Sequence, residues 1–180
     1  MALTIAALVA VLAQPASAYP PGQTIAVNAS SVQVARKTNV TFSVMHAHPG
    51  IVTLKFGTLV KRTVASSSYK TPSVVVAPSA AGIYVTSVTA SDSEKATTRV
   101  YVPSVSISSS ARVGAVTTAV IRYAKPGSVV SVSANGETYY GIVGAASTAV
   151  VPYALYDSGV NTVDVMVGLV SFSGLKITGR

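Results

Sequence analysis

The sequence predicts an all-β protein, two tandem antiparallel β-sandwich domains behind a signal peptide, on three observations. Val, Ser, Thr and Ala dominate a chain of 180 residues in which only 10% are charged. That mixture suits pleated, half-buried strands and lacks the Leu, Glu, Lys and Gln runs that helices favour. Short alternating runs end at Gly, Pro, Ser or Asp clusters about every 8 to 12 residues, with no sustained helical period. The same landmarks then return: Arg36 and Val40 as Arg112 and Val116, Pro49-Gly50 as Pro126-Gly127, Val52 as Val129 and Gly82 as Gly159, at offsets of 76 or 77. Such self-similarity reads as an internal repeat.

In chain order, MALTIAALVAVLAQPASA carries an apolar run from Ala2 to Ala13 and then Ala16, Ser17 and Ala18, the small-x-small pattern that signal peptidase accepts. Residues 1–18 are therefore expected to be a cleaved signal peptide and the mature protein secreted. The run is too short for a transmembrane anchor, which needs about 20 apolar residues. YPPGQ, residues 19–23, is an extended proline lead-in. The first domain is placed at 19–102, with strands read in TIAVNASSVQV, NVTFSVMH, GIVTLKFG, TLVKRTVA, PSVVVAP, GIYVTSVTA and ATTRVYV. The second is placed at 103–180, and Val102-Pro103-Ser104 is too short to be a flexible tether.

Gly82 to Val102 is an alternating hairpin with Tyr84, Thr86, Val88, Ala90, Val100 and Val102 on one side and Arg99 and Tyr101 on the other. Its counterpart in the second half decides which side is buried. In VNTVDVMVG, Asn161, Val163, Val165 and Val167 share a face opposite Thr162 and Asp164. A carboxylate buried without a partner costs several kcal/mol, so the Asp164 face is wet and the valine face is core. Carried back through Gly159 and Gly82, the same parity puts Tyr84 and Thr86 inside.

AAGIYVTSVTASDSEKATTRVYV resembles the closing hairpin of bacterial immunoglobulin-like domains, modules strung along secreted and surface proteins. Tyr84 stands where that family often has a tyrosine-corner residue, whose hydroxyl bonds back to nearby backbone. The second half has Asn161 in that place, and Thr86 and Val163 stand where antibody domains have their second Cys. The resemblance implies adhesion, spacing or glycan attachment outside a bacterial cell, and no catalytic residues.

Lys and Arg outnumber Asp and Glu by 13 to 5, a net charge of +8, so polyanions are attracted over most of the surface. With no cysteine there is neither a disulfide framework nor a thiolate metal site. An enzyme is not expected, since no Gly-x-Ser-x-Gly elbow or convergent titratable cluster stands out. His46 and His48 form half of a metal site but suggest no third ligand among the five carboxylates, so no metal or cofactor is expected and MHAHPG reads as a polar corner. Acidic oxygens are also too few for a tight calcium site.

Two groups of candidate ligand-binding residues remain. Lys55, Lys61 and Arg62, with Lys70 nearby and Arg99 and Tyr101 on the outer side of the hairpin, form a basic patch if they share a face. It would suit teichoic acid, another anionic envelope polymer or acidic polysaccharide. Tyr139, Tyr140, Tyr153 and Tyr156 form an alternative, a glycan-binding or protein-binding strip. Nucleic acid is not expected as a partner, for want of a basic-aromatic platform. The functional expectation is a secreted, non-enzymatic adhesive or structural element of a bacterial envelope. Its alternatives are a carbohydrate-binding accessory protein and a subunit of an extracellular or phage appendage with sheet edges that pair between copies.

Overall fold

The computed structural model describes residues 24–66 and 72–180. The signal peptide expected at 1–18, the lead-in at 19–23 and Lys70 lie outside the described residues. All regular structure among them is strand.

The first half builds β1 (Ala26–Ala29), β2 (Val40–Met45), β3 (Gly50–Phe56), β4 (Leu59–Ala65), β5 (Ser73–Val76), β6 (Gly82–Thr89) and β7 (Lys95–Val102). They form a three-stranded sheet β1-β2-β5 and a four-stranded sheet β4-β3-β6-β7, antiparallel throughout. This is an immunoglobulin-type sandwich in which β4 pairs beside β3 instead of beside β5. Its core takes Val40, Phe42, Val44, Val74 and Val76 from one sheet and Val52, Leu54, Phe56, Val88, Val100 and Val102 from the other.

The second half repeats the order with β8 (Ser104–Ile107), β9 (Ser110–Ala111), β10 (Val116–Arg122), β11 (Val129–Ala134), β12 (Glu137–Ile142), β13 (Thr148–Ala154), β14 (Gly159–Val167) and β15 (Val170–Gly179). Its sheets are β13-β10-β8 and β12-β11-β14-β15-β9. A separate core forms around Ile121, Val132, Val151, Tyr153, Leu155, Val163, Val165 and Ile177.

Burial alternates along both closing hairpins as the parity requires, with Tyr84 half-buried against the core. Thr86, Val88, Val100 and Val102 are buried while Arg99 is exposed, and Asn161, Val163, Val165 and Val167 are buried while Thr162 and Asp164 are exposed. The Tyr84 hydroxyl donates to the Ala80 carbonyl at 2.9 Å, as a tyrosine corner requires. Asn161 does the same work with an amide, its Nδ2 donating to the carbonyls of Asp157 at 2.9 Å and Gly159 at 3.0 Å. In both halves the side chain reaches the carbonyl four residues upstream.

Two readings change. TIAVNASSVQV is not one strand. Ser30 ends the pairing with β2, its N–H donating to Thr41 O at 2.8 Å and its Oγ accepting from Thr41 N at 3.0 Å. The chain then crosses to the other sheet, where Gln33 bridges Tyr101 in parallel. The second correction concerns Val52 and Val129. Leu54 pairs with Val88 and Val132 with Val165, so the structural counterpart of buried Val52 is buried Val130. Val129 is 56% exposed. One extra residue after Gly127 shifts the register, and a one-residue slip turns a side chain to the other face.

Thr86 opposes Phe56 as Val163 opposes Ala134. The Thr86 side chain is fully buried, and its Oγ1 has no hydrogen-bond partner among the described residues. Thr86→Val removes an unsatisfied hydroxyl at constant shape and is expected to raise stability by about 1 kcal/mol, read as a higher urea midpoint.

A side chain of the first sandwich closes the junction. Gln33 Nε2 donates to Val167 O at 2.7 Å, and Gln33 Oε1 accepts from Lys125 N at 2.7 Å. The amide therefore plugs between the β10–β11 and β14–β15 turns. Gly168, at φ +57°, leaves it room: a Cβ there would stand 2.9 Å from Gln33 Nε2. Gln33→Ala removes both bonds, weakening the junction by about 2 kcal/mol. A broader spread of inter-sandwich orientations is expected in residual dipolar couplings, with each core intact.

Candidate ligand-binding face

The outer face of β4-β3-β6-β7 follows from the register. With Val52, Leu54 and Phe56 in the core, Ile51, Thr53 and Lys55 point outward from β3. Arg62 lies opposite Thr53 and Val60 opposite Lys55, so both join that face from β4. Thr89 lies across from Thr53 and Lys95 across from Thr89, while Arg99 pairs with Val85 and Tyr101 with Ile83. The face thus carries Lys55, Arg62, Lys95 and Arg99 between Ile51, Val60, Val64, Ile83 and Val85. All five of these apolar side chains are at least 41% exposed. Its outward strand residues include no carboxylate.

Arg62, Thr53, Thr89 and Lys95 form one row across four strands, so the two end cations are rooted about 14 Å apart at the usual strand spacing. Lys55 sits one outward position along β3 from Thr53. A shallow depression lined by Ile51, Thr53, Lys55, Arg62, Thr89, Ser91 and Lys95 runs between them. Of the chain's basic residues, eight precede Pro103 against two acids, and five follow it against three. The positive field is therefore strongest around the first sandwich.

The expected basic patch is divided. Lys61 lies opposite core residue Leu54, so it leaves β4 on the side away from Arg62 and Lys55. Consecutive strand residues cannot share a face. Lys95, the first residue of β7 and one position before the run ATTRVYV, takes its place. Tyr101 is on the face and half-buried.

The four candidate tyrosines fall in three environments. Tyr153 is 1% exposed, a core ring beneath Tyr139 at 6.4 Å between centroids, and so is closed to a ligand in this structure. Burial raises its pKa. Tyr139 is half-buried and its hydroxyl donates to Glu137 Oε2 at 2.6 Å, a bond that holds the proton and pushes the phenol pKa up. Tyr140 is 72% exposed on the outer face of β12, across from Ser131. Tyr156 is exposed just beyond β13.

Sequence spacing offered the histidines no partner, but the fold does. His48 Nε2 lies 3.3 Å from Asp92 Oδ2, and Glu94 completes a cluster at one end of the first sandwich.

No family model matches the chain, and no curated protein matches it. Among solved structures it is similar to the D0–D1 domain of intimin, with 10% identity and a TM-score of 0.36 over 87% of this chain and 94% of that one. It is also similar to the Yersinia pseudotuberculosis adhesin InvE, with 13% identity and a TM-score of 0.35 over 87% of this chain and 58% of that one. A third is the Ca2+-stabilised adhesin with which an Antarctic bacterium binds ice, at 19% identity and a TM-score of 0.33 over 87% and 48%. Likenesses this slight carry no functional weight; the sandwich description rests on strand order and register.

Proposed function

We propose that this chain is a secreted, non-enzymatic binding protein of the bacterial envelope that holds an anionic polymer on the outer face of β4-β3-β6-β7. The polymer class is teichoic acid or acidic polysaccharide. The observation that carries the reading is the alignment of Lys55, Arg62, Lys95 and Arg99 on one open face without a carboxylate among them. Four cations along an open sheet face match a polymer that repeats its charge, and each contributes about 1 kcal/mol near an anionic surface at ordinary salt. The exposed Ile and Val between them suit the apolar faces of sugar rings. The tyrosines favour the alternative less, because Tyr153 is core and the half-buried Tyr139 has its hydroxyl engaged by Glu137 and Tyr156, which leaves only Tyr140 and Tyr156 of the four exposed.

Co-sedimentation with purified cell wall at low and high salt tests this reading. Binding at low salt that is lost at high salt is expected, since screening weakens contacts between exposed charges. Salt-insensitive binding competed by a neutral soluble glycan would overturn it in favour of the tyrosines. Filament formation without wall binding would overturn it in favour of an appendage.

A further inference from the structure

We propose that His48, Asp92 and Glu94 form a site for a first-row divalent metal ion, Zn²⁺ or Ni²⁺, that clips two loops of the first sandwich together. One donor atom from each lies within 4.8 Å of the others. In a tetrahedral zinc site ligands stand about 3.3 Å apart, as follows from metal–ligand bonds of about 2.0 Å. The His48–Asp92 separation of 3.3 Å is already there, and Glu94 needs a shift of about an ångström or more at a half-exposed side chain to complete a three-ligand set with an open position for water.

The loops hold two of these groups in place. His48 lies between β2 and β3, while Asp92 and Glu94 lie between β6 and β7. Ser91 Oγ donates to Pro49 O at 3.2 Å and joins the loops. Asp92 Oδ1 accepts from Glu94 N at 3.1 Å, which turns Oδ2 toward the imidazole. Glu94 Oε2 accepts from Ile25 N at 3.4 Å, where the chain enters β1.

Charge supplies an independent reason. Asp92 and Glu94 are the only carboxylates before Pro103, in a stretch with eight Lys and Arg. Yet among the described residues neither pairs with a Lys or Arg; the one ionic neighbour of Asp92 is His48, and Glu94 has its donor atom within 4.8 Å of both. Two carboxylates beside an imidazole, paired with none of the described Lys and Arg, offer two anionic donors and one nitrogen donor to a divalent ion. The nitrogen donor decides the class of metal. Imidazole suits Zn²⁺ and Ni²⁺, whereas Ca²⁺ takes six to eight oxygens, which three side chains cannot supply. Bound metal would tie the entry of β1, the β2–β3 corner and the β6–β7 turn into one unit, and binding that favours the folded form raises its melting temperature.

Isothermal titration and thermal melting with Zn²⁺, Ni²⁺ and Ca²⁺, on the full chain, test the site. The expected result is one Zn²⁺ or Ni²⁺ per chain, a melting rise of several degrees, and no effect of Ca²⁺. His48→Gln and Glu94→Gln, both at the surface, are each expected to weaken Zn²⁺ affinity at least about a hundredfold. Losing even an outer partner of a metal ligand costs 10- to 100-fold. Circular dichroism of the variants checks that they fold. The proposal is overturned if Zn²⁺ and Ni²⁺ do not bind, if Ca²⁺ binds as well as they do, or if the folded variants bind as the parent does.

Discussion

Replacing Phe56 with Ala is expected to destabilise the first sandwich by about 3 to 5 kcal/mol, the range for deleting a large ring from a packed core. Phe56 is 3% exposed. Its ring stacks on Tyr84 at 4.5 Å and 8°, and tilts against Phe42 of the opposite sheet at 5.7 Å and 57°. It therefore joins the two sheets to each other and to the tyrosine corner. The cavity would open between backbones fixed by ladder pairing, so little of it can collapse. Such a loss is a large part of the roughly 5 to 15 kcal/mol that holds a domain folded. The second sandwich has its own core, with no member before Val105, so its unfolding is expected to move by no more than the about 2 kcal/mol that the Gln33 junction contributes. Urea titration followed by NMR peaks from each half checks this: two separated transitions are predicted, and one joint shift of both halves would contradict independent cores.

Much of this fold was legible because alternation carries a sign. A single charged residue, Asp164, marked the wet face of one strand, and the Gly82–Gly159 correspondence carried that sign to Tyr84. The corner at Asn161 was readable only as a departure, because nothing in the residue type announces that an amide will reach the Asp157 carbonyl. The Val52–Val129 match failed for the reason that alternation is powerful: inserting one residue inverts every face after it, and a run of valines hides the insertion.

The site was less legible because it is made by pairing between strands. Lys61 and Arg62 had to face opposite ways, but which of them joins Lys55 depends on the β3–β4 register, which follows from the tight turn at Gly57 and Thr58. His48 and the Asp92–Glu94 turn are more than 40 residues apart in sequence, and only the sandwich topology brings their loops to one end. A core tyrosine such as Tyr153 and a surface one such as Tyr140 sit in equally strand-like sequence. Gln33 carried no signal at all, since its two short bonds are to backbone groups of the other half.

The neighbours Lys61 and Arg62 provide the second large effect. They carry the same charge one residue apart, both exposed on the edge strand β4, so a change in either alters the net charge and the general field equally. Only Arg62 belongs to the face with Lys55, Lys95 and Arg99. Losing a cation at an anionic surface costs about 1 kcal/mol and reversing it about twice that, near 30-fold in affinity. Wall-binding affinities of Arg62→Glu and Lys61→Glu, measured across a salt series beside the parent, decide whether the outer face of β4-β3-β6-β7 holds the polymer. Arg62→Glu is expected to lose about 30-fold and to flatten the salt dependence, while Lys61→Glu stays within a few-fold of the parent. Equal losses in the two variants, or none in Arg62→Glu, would contradict it.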